Sequence, residues 1–155
     1  MPYRDDFGRA INYLRVSVTD RCNLRCIYCM PEEGIPLKTH SDILSYEKMV
    51  SVAEAAVRLG LRKVRLTGGE PLLRDDLLPI LDFLHERDTM TTVISNGRLL
   101  SEEMIVALLE RGVGLFELPL LSYRREVYDQ LAGAPGAFDA ALAAMARIRY
   151  HGGQY

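Results

Sequence analysis

Tyr13-Leu14-Arg15-Val16-Ser17-Val18-Thr19-Asp20-Arg21-Cys22-Asn23-Leu24-Arg25-Cys26-Ile27-Tyr28-Cys29 is an alternating, β-forming run that leads directly into a loop holding all three cysteines of the 155-residue chain. The alternation predicts a first strand over residues 12–18, with the cysteines just beyond its carboxyl end. Cys22, Cys26 and Cys29 are three and then two residues apart, a spacing that lets three thiolates converge on one metal centre. Three are too few to close a four-thiolate structural zinc site. An iron–sulfur cubane takes one thiolate per iron, so three cysteines leave its fourth iron open to a ligand that reacts.

Outward from this stretch, strands and helices alternate. Residues 63–67 read as a second strand that ends on Gly68-Gly69-Glu70-Pro71, and glycines at such a turn supply backbone angles other residues avoid. Residues 91–95 form a third strand, closed by Asn96-Gly97, and residues 115–118 a fourth, stopped by Pro119. Between them the pattern predicts helices over 46–59, capped by Ser45 and stopped at Gly60, and around Leu77, Leu78, Leu81 and Leu84, capped by Asp75 with Pro79 near its first turn. Another runs over 102–110, capped by Ser101; a short one runs from Ser122 to Leu131; a last covers 138–149, and nothing after it reads as a strand. Residues 32–42, with Gly34 and Pro36, read as a loop. Such alternation requires parallel pairing with right-handed crossovers, an α/β class. The cysteines, the Gly-Gly turn and Ser95-Asn96-Gly97 all fall at carboxyl ends of strands, where barrels and open α/β sheets bind ligands.

Composition bounds the function. The net charge of −2 gives no polyanion-binding surface, so nucleic acid is not an expected partner. Residues 1–30 nevertheless carry five arginines against three aspartates, a local positive field around the cysteines. No apolar run is long enough to span a membrane and no hydrophobic leader opens the chain, so neither membrane nor secretion is expected. An odd cysteine count in one cluster fits a reducing, cytoplasmic compartment.

Two motifs carry a family resemblance. C-x3-C-x2-C with Tyr28 before the last cysteine, followed about forty residues later by Gly68-Gly69-Glu70-Pro71, resembles the radical S-adenosylmethionine (radical SAM) enzymes. The resemblance implies a 4Fe-4S cluster on Cys22, Cys26 and Cys29, with S-adenosylmethionine (SAM) on the open iron and beside Tyr28, Gly68, Gly69, Glu70 and Ser95. It also implies reductive cleavage of SAM to a 5′-deoxyadenosyl radical, fed by an electron donor such as a flavodoxin or ferredoxin. The implied fold is a partial (β/α) barrel of about six units. Residues 1–155 supply about four as one domain, so the chain is expected to be the N-terminal part of a longer enzyme or to dimerise across its open sheet edge. Within the superfamily, Asp6-Phe7-Gly8-Arg9, the run from Tyr13 to Pro31, and Arg65-Leu66-Thr67-Gly68-Gly69-Glu70-Pro71 are similar to the start of the molybdenum-cofactor GTP 3′,8-cyclases. That likeness implies that Arg15 and Arg65 contact GTP, in keeping with the forked bonds guanidinium groups make to phosphate.

Other readings stand beside it. His40 could complete a zinc site with the three cysteines, and a non-enzymatic metal-binding module would look the same at this level. Residues 129–138 resemble a stretch in radical SAM enzymes that modify peptides or tetrapyrroles. Two features depart from the cyclases: there is no cysteine outside residues 22–29, and Pro119-Leu120-Leu121-Ser122 stands where they carry a Ser-x-Asp-Ser-Leu-Asp-like segment.

Overall fold

The computed structural model describes residues 3–31, 33–39 and 42–155. Four strands, β1 (Tyr13–Ser17), β2 (Lys63–Thr67), β3 (Met90–Ile94) and β4 (Val113–Glu117), form one parallel sheet in the order β1-β2-β3-β4. The helices α1 (Tyr46–Arg58), α2 (Leu77–His85), α3 (Glu102–Glu110), α4 (Arg125–Ala132) and α5 (Ala137–Tyr150) follow the strands in the alternation expected, and the barrel is not closed.

Alternation along each strand assigns the two faces of the sheet. Val64, Leu66, Val93 and Phe116 are buried with Ile80, Leu81, Leu84, Ile105, Leu108 and Ile148 from the helices, and this is the main core. The opposite face carries Tyr13, Arg15, Lys63, Arg65, Thr92 and Glu117, none of them buried. On β4 the register shifts between Thr91 and Thr92, where Val113 pairs with Thr91 and Leu115 with Thr92. Gly114 is the extra residue, and the bulge lets Val113 and Phe116 both face the core while Glu117 faces the open side.

Local chemistry sets the helix ends. Ser45 accepts from Lys48 N and Ser101 from Met104 N, each a side-chain N-cap as the sequence predicts. Asp75 does not cap α2. The N-cap is Asp76, and its carboxylate is held by the Arg74 guanidinium instead of by a helix N–H. The chain first makes a single 3₁₀ turn, Pro71–Leu73, capped by Glu70, which shifts the start of α2 along the sequence. Ser122 likewise stands before its helix: its Oγ accepts from Arg124 N, and α4 starts at Arg125. As expected, no strand follows α5 among the described residues. Phe116 N donates to Gln154 O at 2.9 Å, so the tail returns to the free edge of β4. Among the described residues no helix is long and apolar enough to cross a membrane.

Candidate functional site

The loops that follow β1, β2 and β3 meet at the carboxyl edge of the sheet. Gly69 N donates to Thr19 O and Glu70 N to Arg21 O, both at 2.7 Å, so the Gly-Gly turn is laid backbone to backbone along the approach to the cysteines. This is why two glycines are needed. A Cβ at Gly69 would stand 2.1 Å from Arg21 O, and one at Gly68, whose φ is +151°, 2.4 Å from Thr19 O. No side chain can enter either space.

Glu70 is 1% exposed and ties the second loop to the third. Its Oε2 accepts from Asn96 N at 2.9 Å and its Oε1 from Leu72 N at 3.2 Å, and Ser95 hydrogen-bonds the carboxylate as well. Burial nevertheless pushes the Glu70 carboxyl above its ordinary range, because desolvation outweighs these bonds to the charged form. Ser95 is also buried; its Oγ accepts from Gly97 N at 3.1 Å. The structure therefore gives Glu70 and Ser95 bracing contacts inside the protein, and the N–H groups of Gly69 and Glu70 are both donated to the cysteine approach. Beside them Asn96 Nδ2 donates to Asn23 Oδ1 at 2.7 Å, pinning the cysteine loop directly to the third loop. Sequence reasoning read Asn96 only as a turn residue and passed over Asn23. The one signal was that each asparagine sits inside a motif.

Cys22 and Cys26 are half-buried, Cys29 is exposed, and all three are free thiols. The Cys26 carbonyl accepts from Cys29 N at 2.8 Å and from Met30 N at 3.1 Å, a tight turn that brings the last two cysteines round together. Burial raises the Cys26 thiol above its ordinary range; the Tyr28 hydroxyl donates a hydrogen bond to the sulfur and opposes that shift, while charges on Cys22 and Cys29 add to it. Most of the Tyr28 side chain is exposed, yet partial desolvation of its hydroxyl, and then its bond to Cys26, push it up to about 12.

Among the described residues no three His, Cys, Asp or Glu side chains are grouped so as to hold a single metal ion. A tetrahedral zinc with bonds of about 2.3 Å requires its sulfurs within about 4 Å of one another. A cubane would give each cysteine its own iron, and three thiols on one loop are the donor set it would take. His40, the fourth ligand of the zinc reading, lies outside the described residues.

Arg15 and Arg65 are in register across β1 and β2, which places both on the open face. Like charges side by side repel, and an anion between them relieves the repulsion. Arg65 donates to Glu117 at 2.9 Å, lies over the Tyr13 ring with its guanidinium carbon 5.4 Å from the centroid, and its buried Nε has no hydrogen-bond partner among the described residues. Glu117 escaped sequence reasoning, because the bulge at Gly114 decides which face it takes.

Residues 16–154 match the Radical SAM superfamily. The chain is 47% identical over 125 residues to the GTP 3′,8-cyclase of Geobacter sulfurreducens, which is 80% of this chain and 38% of that protein. It is 44% identical over 143 residues to the GTP 3′,8-cyclase of Petrotoga mobilis, 89% of this chain and 43% of that one. The chain thus spans about two fifths of the length of these curated relatives. Among solved structures, Streptococcus suis SuiB bound to S-adenosylmethionine superposes with a TM-score of 0.74 at 19% identity, covering 92% of this chain and 30% of SuiB. BtrN in complex with AdoMet and 2-DOIA superposes at 0.58 and 22% identity, covering 85% of this chain and 55% of that one. Both likenesses concern the fold.

Proposed function

The chain belongs to the radical SAM superfamily, and on that premise we propose that it is the N-terminal part of a GTP 3′,8-cyclase of molybdenum-cofactor biosynthesis. Family membership implies a 4Fe-4S cluster and SAM as cofactors. In this reading Cys22, Cys26 and Cys29 hold the cluster, and the loops around Gly68, Gly69 and Ser95 shape the cavity in which the sulfonium ligand lies. When bound, cluster and SAM supply the electron and the 5′-deoxyadenosyl radical. The chain's own residues bind and orient. Glu70 keeps the second and third loops together, Tyr28 holds its hydroxyl against the Cys26 sulfur, and Arg15 and Arg65 take the phosphates of GTP on the open face.

The observation that carries this reading is the backbone seam between the Gly-Gly turn and residues 19–21, which ties the turn to the chain immediately before Cys22. Relatives 47% and 44% identical support the choice of GTP. The arginine pair in register on one face suits a triphosphate. Reduction is assigned to an external one-electron donor of the flavodoxin or ferredoxin type, since Cys29 and Tyr28 lie exposed at the surface. The free edge of β4 beyond Gln154 is where further strands of the longer protein, or a second copy, pair.

Anaerobic reconstitution tests the proposal. About four irons per chain are expected, lost on Cys26→Ala, with 5′-deoxyadenosine released from SAM under reduction. GTP should bind, and Arg15→Ala should weaken binding by about ten- to a hundred-fold, the worth of one charge-assisted contact. Iron uptake with SAM cleavage but no GTP binding would point instead to a peptide or tetrapyrrole substrate. Zinc uptake without iron would leave a metal-binding module.

A further inference from the structure

The cysteine loop is gripped by the second and third strand-end loops, and also by a part of the chain that has no place in the reading above. Arg25 N donates to Ala132 O at 3.3 Å and Ile27 N to Leu131 O at 3.0 Å, so the residues on either side of Cys26 are hydrogen-bonded to the end of α4. A helix leaves its last carbonyls without intrahelical partners, and here the cysteine loop supplies them. Gly133 ends α4 in the left-handed conformation at φ 64°, and a Cβ there would lie 2.2 Å from Arg25 O. Leu24 is buried with Tyr128, Ala132, Ala137 and Ala141, and Cys22 and Cys26 pack against the same cluster. The small side chains of α4 and α5 let the loop come this close.

The turn that does the gripping is itself braced. Asp129 Oδ2 accepts from Gly136 N at 2.7 Å and Oδ1 from Phe138 N at 2.9 Å, and these bonds hold its carboxyl below the ordinary range. Tyr128 donates its hydroxyl to Pro119 O at 2.9 Å and meets Phe138 edge to face at 5.6 Å. The whole segment is anchored at the end of β4.

We infer that the turn spanning residues 129–138 is the positioning element of the metal-ligand loop, with Gly133 and Asp129 as positioning residues that act on Cys26 through the backbone of Arg25 and Ile27. The inference rests on the reading of the three cysteines as cluster ligands. Cluster ligands must be held to within about half an ångström, and groups beyond the ligands set cluster properties through packing and hydrogen bonding. The turn supplies that hold from the far side of the loop, where neither the Gly-Gly turn nor Asn96 reaches.

Two glycines of the same turn provide the test. Gly136 also has a left-handed φ, 74°, but a Cβ there meets nothing within 4 Å. Gly133→Ala and Gly136→Ala therefore strain the backbone alike, and only the first pushes on Arg25. In the metal-free whole protein, Gly133→Ala should speed iodoacetamide labelling of Cys26, resolved by peptide mass spectrometry, by about ten-fold, with Gly136→Ala staying within about two-fold of wild type. In the reconstituted protein Gly133→Ala should change the EPR line shape of the reduced cluster, and Gly136→Ala should not. Equal effects of the two variants, or no effect of Gly133→Ala on either readout, would overturn the inference. Should Gly133→Ala fail to fold, Asp129→Asn, whose NH2 must face one of the two N–H groups and so gives up that bond without adding any bulk, should move both readouts the same way by about three-fold; unchanged readouts there overturn it equally. If the wild type takes up no iron, the cluster reading fails, while the labelling contrast still decides whether the turn positions Cys26.

Discussion

Replacing Glu70 by glutamine should leave stability in acid nearly unchanged and favour the variant increasingly as the pH rises. Both oxygens of the carboxylate are in use, one on Asn96 N and one on Leu72 N, and the residue is 1% exposed. Against the ionised carboxylate, a glutamine keeps a single acceptor and turns its NH2 toward the other N–H, leaving a buried donor unpaired at about 1–3 kcal/mol, whereas the protonated carboxyl already carries the same one acceptor and one donor. Against that, the glutamine carries no charge to bury. Burial, the largest influence on Glu70, raises it above its ordinary value of 4.5. The unfolded chain then loses its proton at a lower pH than the folded one. The stability Glu70 contributes is therefore fully present below pH 4.5 and declines as the pH climbs through the raised value. The difference between wild type and Glu70→Gln is therefore near zero in acid, where each side chain carries one acceptor oxygen and one donor edge, and moves in the variant's favour toward neutrality. Urea unfolding of the metal-free wild type and variant, each below pH 4.5 and again near neutrality, measures it through the midpoint at constant slope. A difference that stays constant or moves against the variant toward neutral pH would show that the N–H groups hold the carboxylate ionised, and would refute the reasoning.

Gly69→Ala should be more damaging than most surface changes, because the new methyl meets backbone and not a side chain that can swing away. Loss of the two 2.7 Å bonds to Thr19 O and Arg21 O adds about 1 kcal/mol each to the overpacking, and a thermal melt should show a drop of several degrees. Spectrophotometric titration of the metal-free protein should reveal a tyrosine ionising at about 12 that is absent in Tyr28→Phe; a variant that loses no high-pH ionisation would contradict the desolvation of the Tyr28 hydroxyl beside Cys26. Glu117→Gln releases Arg65 from a half-exposed ion pair worth about 0–1 kcal/mol, so GTP should bind tighter by no more than about five-fold in calorimetry. Weaker binding would mean that Glu117 contacts the ligand itself.

The elements whose signals are local were legible in the chain alone. Lys63–Thr67 and Glu102–Glu110 are found where the sequence places them, and Ser45 and Ser101 cap as predicted, because a hydroxyl and a third-residue N–H are all a cap requires. Asp75 misled for the same kind of reason. Either aspartate could begin α2, and the choice fell to Arg74, which also donates to Val18 O at 2.7 Å and Leu44 O at 3.0 Å and so is committed to β1 before it takes Asp76. The start of β4 escaped because Gly114 is a bulge, and a bulge is defined by the partner strand.

What the chain determines by itself is chemistry and order: three thiols within eight residues, a Gly-Gly-Glu-Pro turn after a strand, and β/α alternation that allows only parallel pairing. Covalent spacing and side-chain type suffice for these, since each is a property of neighbours in sequence. Only the tertiary structure decides that Arg15 stands beside Arg65, that Glu70 faces inward to Asn96, and that the end of α4 grips the residues around Cys26. Those contacts join residues far apart along the chain. They depend on how close one backbone can come to another, and that closeness is set by glycines whose missing side chains carry no sequence signal of the partner they admit.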